Sequence, residues 1–201
     1  MPVLLMPADT LAKTVSSDPA TYQLHDLFGA YIRVGEEIET RLRTLNIQWP
    51  LIGLEPRIET GEITEGQFLL YVTTCWHGQL LNGGVFGFLE NCPGLVRDAR
   101  SALRRFAPPA FRTQWEALVE PAHRVLDESA GYDGNPTDPE IAAVWANYEA
   151  ALDEMDEDRV KQFEDSIYAE GAKDNAEHPV NVFAQGIVDF VVANPGQLKL
   201  L

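Results

Sequence analysis

Positive charge is what this chain has least of: across 201 residues, 15 lysines and arginines stand against 31 aspartates and glutamates, a formal net charge of −16. Such a polyanion repels nucleic acid and anionic membranes. Direct nucleic-acid binding and membrane association are therefore not expected, and the partners that fit are basic proteins or cations. Cysteine is nearly as scarce. Cys75 and Cys92 are the only two, too few for a metal site of their own or for a disulfide framework, and they point to a reducing, cytoplasmic setting. Long apolar runs are missing as well. The opening MPVLLMPADT holds a short one, but Pro2 and Pro7 bracket it and no cationic segment precedes it, so neither a signal peptide nor a membrane span is expected there. HExxH, GxSxG, GxxxxGK[ST] and GxGxxG do not occur. No metal and no cofactor is expected.

What the chain does have is apolar periodicity at three and four residues, nearly end to end. Asp18 reads as an N-cap with Pro19 at the first helical position; Leu24, Leu27, Phe28, Tyr31, Ile38, Leu42 and Leu45 then continue one long amphipathic helix. Glu37 with Arg41 and Glu39 with Arg43 add pairs on its wet side. Residues 46–63, with two prolines, two glycines and no sustained period, read as a linker packed by Trp49. Thr64 and Gln67 form a capping box for a helix carrying Phe68, Leu69, Val72, Cys75, Trp76 and Leu80. A helix after Pro93 carries Leu95, Val96, Ala99, Leu103 and Phe106, and one after Pro109 carries Phe111, Trp115, Leu118, Val119, Ala122 and Leu126 as a single stripe. The segment GYDGNPTDP breaks the pattern, which restarts at Asp138 and Pro139 with Ile141, Val144, Trp145, Tyr148, Leu152 and Met155. Phe163, Ile167 and Tyr168 mark another helix, and Phe183, Ile187, Phe190 and Val191 a last one, stopped by Asn194 and Pro195. No strand signal is comparable. The expected fold is all-α with seven or eight helices, residues 1–63 an N-terminal helical extension and linker, and residues 64–201 the main helical domain, the two forming one compact unit.

Within this pattern WHGQLLNGGVFGFLEN, residues 76–91, stands out for its four glycines and single charge. Asn82-Gly83-Gly84 falls where the preceding apolar stripe runs out, and Asn and Gly accept the left-handed backbone that ends a helix. The spacing predicts a C-cap at Gly83, then one apolar helical turn over Val85 to Leu89, closed by Asn91. A phosphate cradle would need other glycine spacing and a preceding strand.

These residues resemble the signature of the acidic DNA-mimic protein family, an all-helical group whose pattern runs Asn-Gly-Gly-Phe, any residue, Gln, two aromatic or apolar residues, any residue, Asn. Asn82, Gly83, Gly84, Phe88, Leu89 and Asn91 match in register. Val85 stands where the family has Phe and Gly87 where it has Gln, so no role of that Gln carries over. The likeness extends more loosely through Ala102-Leu103, Leu152-Asp153, Phe190-Val191 and Asn194-Pro195, covering residues 64–195 and leaving residues 1–60 outside. The resemblance implies an all-α fold, a homodimer, and a surface that imitates DNA and occupies a basic DNA-binding protein.

The charge distribution bears on that expectation independently. Between Asp127 and Glu177 sixteen acids meet only Arg159, Lys161 and Lys173, a net −13. On the helix from Asp138, the carboxylates of Glu149, Asp153, Asp156 and Glu157 are expected on the side away from the Trp145, Tyr148 and Leu152 stripe, as a partner-binding face. Helical neighbours three or four apart lie about 5–6 Å from one another at Cβ, and longer side chains spread that spacing toward that of phosphates. The same acids also read as an ordinary solvated helix face. Arg97, Arg100, Arg104, Arg105 and Arg112 gather on and after the helix that follows the glycine run. A basic helix there would suit a DNA reader, but the chain's charge opposes it, and pairing with the chain's own acids or with a second subunit fits better.

Evidence for catalysis is thin. His25, His77, His123 and His178 are scattered and neither cysteine has a base beside it in sequence, so no catalytic residue is assigned. Three readings follow: an acidic, non-enzymatic interaction protein mimicking DNA; an immunity-type binder neutralising another basic protein with the same face; and a small hydrolase with Trp76, His77 and Asn82 lining its pocket.

Overall fold

The computed structural model describes residues 28–44, 53–129, 139–169 and 175–198. Among these the chain forms nine α-helices, eight of them longer than four residues, and no strand, so the protein is all-α. They are α1 (Phe28–Thr44), α2 (Pro56–Glu59), α3 (Glu65–Asn91), α4 (Val96–Phe106), α5 (Pro109–Leu118), α6 (Glu120–Glu128), α7 (Pro139–Asp153), α8 (Glu157–Ile167) and α9 (Pro179–Ala193), with 3-10 turns at Pro93–Leu95 and Pro195–Leu198. The expected helix start at Asp18, Trp49, and residues 131–138 of the GYDGNPTDP break lie outside the described residues.

Two expectations are revised by local chemistry. The expected linker contains α2, with Pro56 at its start. The stripe from Phe111 to Leu126 is two helices, α5 and α6, separated at Val119 (φ −98, ψ 14). Pro121 is the cause: it has no N–H to donate backward and its ring crowds the carbonyl of the preceding turn, yet it fits the first turn of a new helix.

α3 is central and packs against α1, α4 and α9. Its start is fixed by the capping box, in which Thr64 Oγ1 accepts from Gln67 N at 3.1 Å and Gln67 Oε1 accepts from Thr64 N at 2.9 Å. Its middle is fixed by aromatic packing. The Trp76 ring, fully buried, meets Trp115 and Phe111 of α5 and Phe183 of α9 edge-on, with centroids 5.4, 6.1 and 5.2 Å away. Phe163 brings α8 into the same cluster, stacking on Phe111 at 5.3 Å. Val34 and Ile38 of α1 are buried in the same core.

Asp98 of α4 holds the entry to α2. Its carboxylate accepts from Leu54 N at 2.7 Å and Glu55 N at 3.1 Å, and the chain reaches that position through Gly53 at φ 80, where a Cβ would sit 2.5 Å from Asp98 Oδ1. Burial raises the Asp98 carboxyl to about 7, against the pull of the two backbone donors.

Candidate partner-binding face and the Asn82 turn

α3 is not one straight helix but two helical segments joined at a kink. Gly84 has φ 68 and ψ −164, a region that is essentially glycine's alone. In a straight helix Gln79 and Asn91 would be about 18 Å apart along the axis; instead Asn91 Nδ2 donates to Gln79 Oε1 at 3.1 Å. The chain folds back at Gly84 into two helical arms, residues 65–83 and 85–91.

The turn and the short apolar arm match the sequence expectation, but the left-handed residue does not. It is Gly84, whereas Gly83 keeps helical backbone. A neighbour absent from the local sequence explains the shift: Glu164 Oε1 of α8 accepts from Val85 N at 2.7 Å, capping the second arm with a full negative charge. A side chain at residue 84 would overlap that carboxylate. Phe88 and Leu89 are buried, Phe88 against Trp115 at 5.9 Å, and the Leu89 carbonyl accepts from Tyr148 Oη of α7 at 3.0 Å. Asn82 and Gly83 are exposed at the outer side of the turn.

The four acidic residues expected on one helix are divided between two. Glu149 and Asp153 are exposed on α7, which ends at Asp153. Met155 turns into the core, and Asp156 starts α8 as its N-cap, accepting from Arg159 N at 3.1 Å. Glu157 follows in the first turn of α8, where the helix dipole favours a carboxylate. The expected continuous face is thereby corrected: a buried methionine and a capping aspartate break the register after residue 153. Glu154 pairs with Arg124 at 3.1 Å. Glu149, Asp153, Glu157, Asp158 and Asp165 are exposed and form no ion pair with a described residue.

The arginines, by contrast, are bound within the chain. Arg97 and Arg100 converge on Asp127 at 3.1 and 2.9 Å, and the Arg100 hydrogen bonds hold that carboxyl below the usual range. Arg104 meets Glu116 at 2.8 Å. Arg105 pairs with Glu65 and lies 4.8 Å over the Phe190 ring, and Arg112 donates to the Arg104 carbonyl at 3.4 Å. Internal pairing, one of the two arrangements expected for this cluster, is what the structure contains.

Trp76, His77 and Asn82 are not brought together. Trp76 is in the core, His77 is half-buried with its imidazole lowered by desolvation, and Asn82 is exposed. His77 and Asn82, five positions apart on the helical first arm, are about 140° apart around its axis. Two open surface clefts, one of about 380 Å³ between α5 and α8 and one of about 470 Å³ beside His123, include none of the three. Among the described residues no three His, Cys, Asp or Glu side chains are gathered so as to hold a metal ion. No described helix is long and apolar enough to cross a membrane.

Fold and surface together define an all-helical acidic protein in which Arg97, Arg100, Arg104, Arg105 and Arg124 meet carboxylates within the chain, while carboxylates on α7 and α8 turn outward. Residues 61–185 match the DMP19-like protein family, and the chain belongs to that family. No curated protein and no solved structure matches it.

Proposed function

We propose that this protein is a non-enzymatic acidic interaction protein, a homodimer of the cytoplasm, whose carboxylates on α7 and α8 stand in for DNA phosphates and occupy a basic DNA-binding protein. Charge segregation carries this reading: the arginines from Arg97 to Arg124 are taken up by partners inside the chain, while Glu149, Asp153, Glu157, Asp158 and Asp165 face solvent. Membership of the DMP19-like family supports it. A partner's Lys and Arg side chains that normally neutralise phosphates would meet these carboxylates instead, so binding is competitive with DNA and weakens with salt. The salt slope is shallower than for a duplex, because separated carboxylates condense fewer counterions.

The test starts from a pull-down out of cell extract at low and high salt, followed by titration of each captured basic protein against its labelled duplex. Displacement of the DNA is expected. Glu149→Lys, Asp153→Lys and Glu157→Lys together should weaken that competition by about tenfold or more, and reversing Glu36, Glu39 and Glu59 should leave it nearly unchanged. Equal losses from the two sets would show that net charge alone binds, and a ternary complex with DNA would overturn mimicry. Light scattering at the binding concentrations tests the dimer; a monomer there refutes it.

A further inference from the structure

A net charge of −16 sets two copies of this chain against each other, because most of the faces they could present carry like charge. One window is exempt. Residues 66–89 contain no Asp, Glu, Lys or Arg, and they build the first arm of α3, the fold-back and most of the second arm. Much of that run is core, but the outer side of the first arm is not: Thr74, His77 and Gly78 are half-buried, and Leu81, Asn82 and Gly83 are exposed. Positions 74, 77, 78 and 81 recur at three and four residues and so share one helix face. Of the three large apolar side chains exposed among the described residues, two stand here. They are Leu81, 44% exposed, and Tyr168, 47% exposed, whose hydroxyl donates to the Leu80 carbonyl. A Cβ at Gly78 or Gly83 would meet nothing within 4 Å, so the backbone of this face is open to close approach.

We infer that this uncharged face of α3, with Tyr168 beside it, is where a second copy of the chain docks, the Leu81 and Tyr168 side chains of each copy covering those of the other. The inference rests on the homodimer of the proposed function and gives it an interface. Charge selects the occupant. A basic protein is drawn to the carboxylates of α7 and α8 and gains no ion pair from residues 66–89, whereas another copy of a polyanion is repelled by every acidic face and loses least at this one. A closed two-fold pair needs a patch that can meet itself. An uncharged patch, apolar at Leu81 and Tyr168, does so without pressing like charges together, and its burial removes exposed apolar surface from water. Tyr168 is the C-cap of α8, so the pairing gathers the α8 helices of both copies into one particle. Asp165 is exposed one turn before Tyr168, and the repulsion it adds is screened by salt. The pair therefore tightens as salt rises, the opposite of the salt dependence of partner binding.

Sedimentation equilibrium of the full-length chain over a range of concentrations, at low and at high salt, reads the association directly. The wild-type chain is expected to dimerise, and more tightly at high salt. Leu81→Glu and Gly78→Glu, which place a carboxylate on the face, should each raise the dimer dissociation constant about tenfold or more while the far-UV spectrum stays helical; the second keeps the test open if the first does not fold. Ile32→Glu is the control. Ile32 is 44% exposed on α1 and takes the same added charge, yet it should leave the constant unchanged. A dimer untouched by Leu81→Glu and Gly78→Glu would overturn this interface and leave the homodimer standing. Equal weakening by Ile32→Glu, or a dimer that loosens with salt, would overturn it as well. A wild-type chain that stays monomeric throughout would overturn the homodimer itself, and this face with it.

Discussion

Replacing Gly84 by alanine tests the fold-back directly. At φ 68, ψ −164 a side chain strains the backbone by about 1–3 kcal/mol. The added Cβ also overlaps the Glu164 carboxylate, which must leave Val85 N, and loss of a charge-assisted hydrogen bond to a helix start costs about 1.5–3 kcal/mol. Together Gly84→Ala should destabilise by about 2.5–6 kcal/mol, a large part of the stability of a single domain. For a chain of this size that lowers Tm by about 5–24 °C. Gly83→Ala is the matched control: its Cβ meets nothing within 4 Å and its backbone is helical, so it should stabilise by up to about 1 kcal/mol. In a Glu164→Ala background the overlap and the cap are both gone, and Gly84→Ala should cost the strain alone. The double-mutant cycle therefore predicts a coupling of about 1.5–3 kcal/mol, read from urea unfolding of the four proteins. An additive cycle would refute the Glu164 cap, and a Gly83 variant less stable than the Gly84 variant would move the left-handed residue back to Gly83.

Other expected outcomes concern buried titrating groups and caps. His123 is 5% exposed, and burial lowers its imidazole from 6.5 to about 4; its contribution is full above pH 6.5 and is lost, by about 3 kcal/mol, as pH falls toward 4. His123→Gln should remove that acid-side loss in urea titrations. Asp98 runs the opposite way: raised from 3.8 to about 7, its contribution is full below pH 3.8 and is lost as pH rises through 7, so Asp98→Asn should remove that loss and leave the acid-side slope in place. A variant keeping the wild-type slope would show that its group does not titrate as described. Thr64→Ala should cost about 1 kcal/mol through the lost capping box, and Tyr148→Phe about as much through the lost bond to the Leu89 carbonyl, both read from melting curves.

The helices were legible because their determinants are local. Trp76, Trp115, Phe183 and Ile187 fall on apolar stripes and all four are buried, and Thr64 and Gln67 cap α3 as their spacing predicts. Pro121 was legible too, but the apolar stripe masked it: Val119 and Ala122 keep the pattern in step across a break that only the missing N–H reveals. The interruption after Asp153 was hidden in the same way, since Met155 continues the spacing of Leu152 while turning into the core. The choice of Gly84 over Gly83 had no local signal. It is set by Glu164, eighty positions further along. Likewise, which acid each arginine meets is decided by helix packing: Asp127 and Glu65, the partners of Arg100 and Arg105, stand on other helices.

Glu164 belongs to the acidic helix, and its bond to Val85 N is not the only fastening there. Tyr168, at the end of α8, donates to the Leu80 carbonyl before the fold-back, and Phe163 is locked between Phe111 and Trp115. α8 is therefore bolted to both arms of α3 and to the aromatic core, and the carboxylates on its outer side are held at fixed separations from one another. A flexible acidic tail must freeze many rotors when it meets a basic surface, whereas this array gives up only the freedom of its side-chain tips. Under the proposed function, fixed spacing would also make the array selective. A cationic surface whose charges do not fall in register with it gains little from the encounter, however positive that surface is overall.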